Sequence, residues 1–402
     1  MKVTLQDIKQ AQVSIKPFVN LTPCDHSRSA SDLLGSEIYL KLENTQKTGS
    51  FKIRGATHKI MSLTQDEKKC GVIACSAGNH AQGVALSSAL NKVKSIIVMP
   101  ENAPIAKVEA TKKYGAEVIL YGSMFDESKE YALRLAEERG LVFVHPYEDE
   151  KVIAGQGTIG LEVVAQIENL DTLVIPIGGG GLISGVAIAA KAINPKIKII
   201  GVQAEIVSTM AQMIKTKSFT PLKQPVSTLA DGIAIKNPSL EMFNSFISQY
   251  VDDVVTVTEG EIAEAIVFLL ERVKTVAEGS GAVTLAAALT GKTKLGSKNC
   301  LIVSGGNIDL NIVSNIINRG QSQRGRLCEL SVVVPDIPGS LSRLTQTLAE
   351  QRANILEVHH DRLRQGLSLK ETRIDFTLET TSHEHIERII KALEQTGAKV
   401  VR

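Results

Sequence analysis

Cysteine is scarce in this chain of 402 residues, and long apolar runs are missing from it. The five cysteines, Cys24, Cys70, Cys75, Cys300 and Cys328, are an odd number and form no Cys-x-x-Cys pair, so neither a disulfide framework nor a zinc site is expected. A reducing cytoplasm agrees with this usage. A transmembrane helix needs about 18 consecutive apolar residues, and no such run occurs.

The chain also has no large excess of positive or negative charge. Lys and Arg number 45 against 43 Asp and Glu, the formal net charge is +2, and no basic tract is present. Nucleic acid and membrane surfaces are therefore poor candidates for partners. The first eight residues predict a capped amphipathic helix without the apolar core of a signal peptide.

Strand and helix patterns alternate along the first 320 residues, which predicts an α/β fold with parallel sheets covered on both faces. We assign these residues to one catalytic unit of two lobes, the smaller lobe spanning about residues 43–145. Ligands of such sheets bind beyond the carboxyl ends of the strands.

The C-terminal part of the chain has its own pattern. Residues 317–325 are polar and rich in Arg, Gly and Gln, which predicts a linker. Residues 326–402 then follow the βαββαβ order of a ferredoxin-like domain. No cluster of catalytic residue types occurs there, so this domain is interpreted as a sensor.

Lys52 is the residue around which the catalytic unit is organised. A strand at residues 37–42, a turn closed by Gly49 and a helix capped by Ser50 place it in a first helical turn. The helix dipole disfavours an ammonium there and lowers its pKa. An amine that loses its proton near neutrality forms a Schiff base with an aldehyde. The alternative is a solvated surface lysine, against which the flanking Phe51 and Ile53 argue.

A second motif is Gly178-Gly179-Gly180-Gly181-Leu182, which follows a strand and begins a helix. Such a loop turns several backbone N–H groups toward a ligand and is typical of a phosphate cradle. No lysine follows in the Walker position, so a nucleoside triphosphate is not expected. A Rossmann dinucleotide loop remains an alternative, although only Gln203 and Glu205 lie near the expected acidic position. A second alternative is a tight strand-to-helix turn that binds no ligand.

A third motif is Ser76-Ala77-Gly78-Asn79-His80, at the start of another helix. Its amides and the Asn79 side chain suit a carboxylate or a phenolic oxygen, and an ordinary capped helix is the alternative. Glu278 either approaches a bound cofactor or caps a helix. We expect no metal site in the chain.

Together these motifs resemble those of threonine dehydratases, which are fold-type II pyridoxal-phosphate enzymes of the tryptophan synthase β type. The resemblance rests on four stretches in the family's order: Ser50-Phe51-Lys52-Ile53-Arg54-Gly55-Ala56, Ser76-Ala77-Gly78-Asn79-His80-Ala81-Gln82-Gly83, Gly178-Gly179-Gly180-Gly181-Leu182 and Ser304-Gly305-Gly306-Asn307. It covers about residues 1–320, and the tail resembles an ACT domain, an amino-acid-sensing module.

The resemblance implies a role for each motif in holding pyridoxal phosphate. Lys52 carries the cofactor covalently, Phe51 packs on its ring, and Asn79 bonds its phenolic oxygen. The phosphate lies on the amides of Gly178, Gly179, Gly180, Gly181 and Leu182. Ser304 faces the pyridine nitrogen, and because a neutral hydroxyl does not keep that nitrogen protonated, elimination is favoured over transamination.

The implied reaction is the deamination of L-threonine, and of L-serine, by elimination of water, giving 2-oxobutanoate or pyruvate and ammonia. Lys52 removes the Cα proton, and the substrate carboxylate binds to Ser76, Ala77, Gly78, Asn79 and His80. Serine racemases of this fold have a second serine where this chain has Ala77. They also bind a divalent cation through acidic residues where this chain has Gln203 and Thr209, so no divalent ion is expected, whereas dependence on a monovalent cation is left undecided.

The ACT resemblance implies that isoleucine or valine binds at Asp336, Ile337, Pro338, Gly339, Asn354 and Ile355, between paired domains. Pairing implies a homo-oligomer, either dimer or tetramer. Two other interpretations of the chain remain open at this stage. One is a serine racemase or β-replacement enzyme of the same fold, and the other is a non-catalytic amino-acid sensor. The sequence leaves undecided whether the enzyme serves isoleucine synthesis or threonine breakdown.

Overall fold

The computed structural model describes residues 1–218, 220–222, 227–362 and 367–401. The chain divides into two compact units, Met1–Ile308 and Asp309–Arg402. Each unit has its own buried apolar core. Within the described ranges, no helix combines the length and the apolar composition needed to cross a membrane.

The first unit contains two sheets with helices packed on them. Its helices are Leu5–Ile15, Arg28–Leu34, Lys52–Met61, Gln65–Cys70, Asn79–Leu90, Ile105–Lys113, Phe125–Arg139, Glu150–Gln166, Gly181–Ile193, Thr209–Thr216, Leu240–Met242, Ser248–Tyr250, Glu259–Phe268 and Gly279–Leu289. The helix Glu259–Phe268 continues into a π-helical turn, Leu269–Val273, which ends where Lys274 adopts a left-handed conformation with φ +63°. The cap predicted for the first helix is present, and Thr4 forms it.

The larger sheet has six strands within the described residues. Their spatial order is Cys24–His26, Glu37–Leu42, Lys298–Val303, Thr172–Pro176, Lys198–Ala204 and Asp253–Val257. Only the first pair in this sheet is antiparallel. The central strands Thr172–Pro176 and Lys298–Val303 are buried along almost their whole length, as expected for parallel strands covered on both faces. The predicted α/β class is therefore confirmed.

The smaller sheet is built from chain that lies between two strands of the larger one. Its described strands, in spatial order, are Glu117–Leu120, Ser95–Met99, Val72–Cys75 and Val142–Phe143, all parallel. The helices Lys52–Met61 and Glu150–Gln166 pack closely at Gly155, where an added Cβ would lie 2.7 Å from the carbonyl oxygen of Arg54. Glycine thus allows the two helix backbones to touch.

Four charged side chains are buried together around the first turn of the helix Lys52–Met61. The guanidinium of Arg54 forms two 2.8 Å hydrogen bonds with the Glu43 carboxylate and a 2.6 Å bond with Oε1 of Glu162. Lys41 donates to Oε2 of Glu162 at 2.6 Å. Two cations thus face two carboxylates, and this cluster fixes the helix to the strand Glu37–Leu42 and to the helix Glu150–Gln166.

The second unit is an antiparallel sheet with helices. Its strands, in spatial order, are Asn354–Asp361, Glu371–Glu379, Leu327–Pro335 and Lys399–Val401, and its helices are Leu310–Gln323, Ser340–Glu350 and His383–Gln395. The linker predicted at residues 317–325 is wrong, because most of it belongs to the helix Leu310–Gln323. Asp309 caps that helix, and the side chain of Ile316 is buried on it.

Candidate active site

Lys52 is the first residue of its helix and lies half-buried at the carboxyl ends of the strands. Its Nζ donates a hydrogen bond to the carbonyl oxygen of Pro146 at 3.0 Å and lies 5.3 Å from the centre of the Phe51 ring. Burial lowers the pKa of Lys52 to about 8, and the negative charge of Glu278 opposes this shift. The predicted direction is confirmed, but its cause is desolvation of the ammonium.

The prediction that Ser50 caps this helix is wrong. Phe51 occupies the N-cap position, and no side chain completes the cap. Ser50 pairs instead with Gly305 in an isolated bridge, and the amide of Phe51 donates to the carbonyl oxygen of Ser304 at 3.1 Å. This pairing holds Ser50 in an extended conformation. It also joins the loop before Lys52 to residues 304–307, which we call the Ser304 loop.

Residues 76–80, which we call the Ser76 loop, follow the strand Val72–Cys75. The amides of Ala77, Asn79 and His80 have no acceptor among the described residues, whereas the amide of Gly78 donates to Oγ of Ser76 at 3.1 Å. The His80 ring points elsewhere, since its Nε2 contacts the carbonyl oxygen of Val144 at 2.8 Å. Burial lowers the pKa of His80 to about 3, so the ring is neutral. This loop therefore offers amides, not a cationic ring, to an anion.

Residues 178–182, the glycine loop, connect the strand Thr172–Pro176 to the helix Gly181–Ile193. All five residues are buried, and their amides have no acceptor in the described part of the chain. Gly180 has φ +93°, which favours glycine. At Gly179 an added Cβ would lie 2.3 Å from Cδ1 of Tyr147, so glycine is needed for that ring to pack on the loop. Five buried, unpartnered amides at a helix start fit a phosphate group.

Asn79 and Ser304 both lie in hydrogen-bond networks. The Nδ2 atom of Asn79 donates to Oε1 of Glu278 at 2.7 Å, and its Oδ1 accepts from Nδ2 of Asn307 at 2.7 Å. Ser304 is buried, and its Oγ donates to the carbonyl oxygen of Ser280 at 3.3 Å. Sequence reasoning gave no role to Asn307, although it ends the motif that contains Ser304. Glu278 occupies an N-cap position as anticipated, but its side chain makes no capping bond.

These residues fit pyridoxal phosphate on two independent observations. A lysine whose pKa is lowered by burial suits an aldehyde, and a cradle of unpartnered amides suits a phosphate. Among the residues that the structure describes, no group of three His, Cys, Asp or Glu side chains is placed to hold a metal ion. Gln203 is buried, and its side-chain oxygen accepts a hydrogen bond from the backbone amide of Ala211 at 3.0 Å. Its side chain is a neutral carboxamide, not a carboxylate.

The residues predicted to bind an effector lie in the second unit. Asp336, Ile337, Pro338 and Gly339 form a turn before the helix Ser340–Glu350, and Gly339 has φ +92°. Asn354 and Ile355 begin the strand after this helix, and Nδ2 of Asn354 donates to Glu379 at 3.1 Å. The 11-residue helix between the two groups is about 16 Å long. The two groups thus lie at opposite ends of one helix in a single domain.

Comparison with known proteins gives the family. The model described as pyridoxal-phosphate dependent enzyme matches residues 15–306, and the ACT domain model matches residues 329–398. The L-threonine ammonia-lyase of Thermotoga maritima is 47% identical over 398 residues, which cover 99% of each chain. The solved T.th. threonine deaminase has a TM-score of 0.72 and 39% identity, covering 76% of this chain and 99% of that one.

A serine racemase is also structurally similar. The maize enzyme has a TM-score of 0.75 and 37% identity, covering 80% of this chain and 99% of its own. The fold is therefore shared by elimination and racemisation enzymes, and the full-length match with an ammonia-lyase includes both units of this chain. The expected resemblance is confirmed: the chain belongs to the family of pyridoxal-phosphate dependent enzymes and carries an ACT domain near its C-terminus.

Proposed function

We propose that this protein is a threonine ammonia-lyase, which converts L-threonine to 2-oxobutanoate and ammonia and acts on L-serine to give pyruvate. The observation that carries the proposal is Lys52, whose pKa is lowered to about 8 and which lies at the carboxyl ends of the strands with the amide-lined loops. The full-length relative in Thermotoga maritima bears the same activity in its name.

Pyridoxal phosphate, when bound, supplies an electron sink that stabilises negative charge at the substrate Cα. In our proposal Lys52 holds it covalently and Phe51 packs against its ring. The glycine loop, residues 178–182, binds its phosphate, Asn79 bonds its phenolic oxygen, and Ser304 lies at its pyridine nitrogen. The hydroxyl of Ser304 is uncharged, so the sink is weaker than one paired with a carboxylate, which favours rapid loss of a β-hydroxyl group.

Lys52 is also the proposed base. An amine with a pKa near 8 is partly neutral at physiological pH, and its nitrogen then accepts the substrate Cα proton. The Ser76 loop binds the substrate carboxylate through its amides, which orients the Cα–H bond toward Lys52.

Ala77 distinguishes elimination from racemisation. A racemase needs a second proton donor on the face opposite the lysine, and a methyl group has no proton to give. The side chain of Ala77 is partly buried against the core of the small lobe. We therefore favour ammonia-lyase activity over racemase activity.

A steady-state assay tests the function. The purified holoenzyme is expected to absorb visible light and to release ammonia from L-threonine, with L-serine as a second substrate. Chiral analysis of the same L-serine reaction measures D-serine. Formation of D-serine without ammonia would instead support the racemase, and a colourless protein that binds amino acids without reaction would support the sensor.

We further propose that the ACT domain binds isoleucine or valine. The predicted turn and strand start lie at opposite ends of one helix, so a small ligand contacts both only when two domains pair. This argument supports a homo-oligomer of two or four chains. The five free cysteines agree with the cytoplasm as its location.

Changing Asn354 to alanine is expected to weaken this regulation. The variant loses the amide that pairs with Glu379 at the strand start, so the effector concentration for half-maximal response should rise about tenfold. Activity without effector should stay unchanged. The measurement is threonine deamination against isoleucine or valine concentration, with Gln346→Ala, an exposed helical position, as control. An undiminished response after removal of residues 326–402 would refute regulation through the ACT domain.

A further inference from the structure

Three side chains from distant parts of the sequence form a continuous hydrogen-bond relay beside Lys52. Asn307 donates through Nδ2 to the carbonyl oxygen of Thr48 at 2.7 Å and to Oδ1 of Asn79 at 2.7 Å. Asn79 in turn donates through Nδ2 to Oε1 of Glu278 at 2.7 Å. The relay therefore runs from a backbone carbonyl to a buried carboxyl group.

The Thr48 carbonyl fixes the direction of every bond in this relay. A carbonyl oxygen only accepts, so the Asn307 atom facing it must be the NH₂ group. The Asn79 atom facing that NH₂ must then be its oxygen, which turns the Asn79 NH₂ group toward Glu278. One hydrogen of that NH₂ is used by Glu278, and the other stays available to a further acceptor.

Glu278 is held rigidly at the end of the relay. Its amide donates to the carbonyl oxygen of Gly305 at 3.1 Å, and an added Cβ on Gly305 would lie 2.4 Å from Oε1 of Glu278. The side chain is buried, with 6% of its surface exposed. Burying a carboxyl group is costly unless it is paired, so a role in stability alone does not account for this one.

We propose that Glu278 is a positioning residue, which accepts a hydrogen bond from Asn79 so that the remaining Asn79 N–H is directed at the phenolic oxygen of bound pyridoxal phosphate. The proposal rests on the cofactor role given to Asn79 above. It extends that role to Glu278 and Asn307, which act through Asn79 without needing to contact the cofactor.

The electrostatics around Glu278 agree with this role. Burial raises its pKa to about 7, Asp231 adds to the rise, and the Asn79 hydrogen bond, Lys107 and Lys52 oppose it. In the protonated form the carbonyl oxygen still accepts from Asn79, but the negative charge is lost. That charge raises the pKa of Lys52, so its removal leaves the lysine easier to deprotonate.

Two substitutions separate the hydrogen bond from the charge. Glu278→Gln keeps an acceptor for Asn79 and removes the charge, whereas Glu278→Leu removes both. Cofactor affinity is measured by fluorescence titration of the apoenzyme with pyridoxal phosphate. The dissociation constant should rise about tenfold in Glu278→Leu and by less than about threefold in Glu278→Gln. The matched control is Glu109→Gln, an exposed glutamate paired with Lys112.

The pH dependence gives a readout that a merely structural role would not change. The rate of cofactor capture by the apoenzyme should rise with deprotonation of Lys52, and in Glu278→Gln this rise should occur at lower pH than in the unchanged protein. If Glu278→Leu does not fold, Asn307→Ala tests the same relay, because it frees Oδ1 of Asn79 and should also weaken cofactor binding. Unchanged affinity in the folded variants, together with an unchanged pH profile, would overturn the proposal.

Different results would refute the proposed function and the proposed role of Glu278. Cofactor binding is measured without any amino-acid substrate, so a holoenzyme inactive on L-threonine would remove the proposed function and leave the relay standing. Conversely, full threonine deamination with unaltered cofactor binding in Glu278→Leu would overturn the relay and keep the function.

Discussion

Replacing Lys52 with alanine is expected to reduce the rate of ammonia release from L-threonine by about 10³-fold or more. The substitution removes the nitrogen that we propose both holds the cofactor and accepts the Cα proton. The visible absorbance of the purified protein should be lost in parallel. The measurements are an absorption spectrum after dialysis and a steady-state assay at saturating pyridoxal phosphate.

Two comparisons make this experiment specific. Lys69→Ala removes an exposed lysine paired with Asp66, and it should leave both the spectrum and the rate unchanged. Lys52→Arg keeps a positive charge, but a guanidinium does not lose its proton in proteins, so this variant should be as inactive as alanine. An alanine variant that still deaminates threonine at the original rate would remove the basis of the proposed mechanism.

The motifs could be predicted from the sequence because the structure of each one depends mainly on residues that are adjacent in the chain. Glycines 178–181 after an apolar run predict a strand, a ligand-binding turn and a helix, and the structure has that order. The lowered pKa of Lys52 was also predicted, but from the helix dipole. The larger effect, burial, depends on residues such as Pro146 that are distant in sequence, so local reasoning does not reveal it.

Contacts between distant segments account for what was missed. Ser50 looks like a helix cap when only its neighbours are considered, yet it pairs with Gly305. The relay joins residues 79, 278 and 307, and no spacing rule connects them. In the tail, a polar composition predicted a linker at residues 317–325, whereas most of these residues belong to the helix Leu310–Gln323, which begins earlier and buries Ile316. In each case tertiary packing outweighs the local pattern.

The buried charged cluster is the strongest example, because charged residues of a strand and a helix are usually expected at the surface. Lys41, Glu43 and Arg54 are fully buried, and Glu162 is almost so. Arg54 lies two residues after Lys52, so the cluster fixes the helical turn that carries the reactive amine. The guanidinium of Arg54 donates four hydrogen bonds to the carboxylates of Glu43 and Glu162. Without Arg54, both carboxylates would stay buried but would lose these bonds.

Changing Arg54 to methionine is therefore expected to lower the free energy of unfolding by about 3–5 kcal/mol. Methionine fills much of the volume but leaves the Glu43 carboxylate without its guanidinium in a site that excludes water. Urea unfolding followed by circular dichroism measures the loss. Lys112→Met, which breaks the exposed pair with Glu109, should change stability by less than about 1 kcal/mol.

The double variant Arg54→Met with Glu43→Leu tests the cause of this loss. If an unpaired buried carboxylate is responsible, removing Glu43 as well should recover part of the stability lost in the single variant. If the loss came only from a poorly packed methionine, the second substitution would add a further cost. A single variant as stable as the unchanged protein would mean that the cluster contributes no net stability.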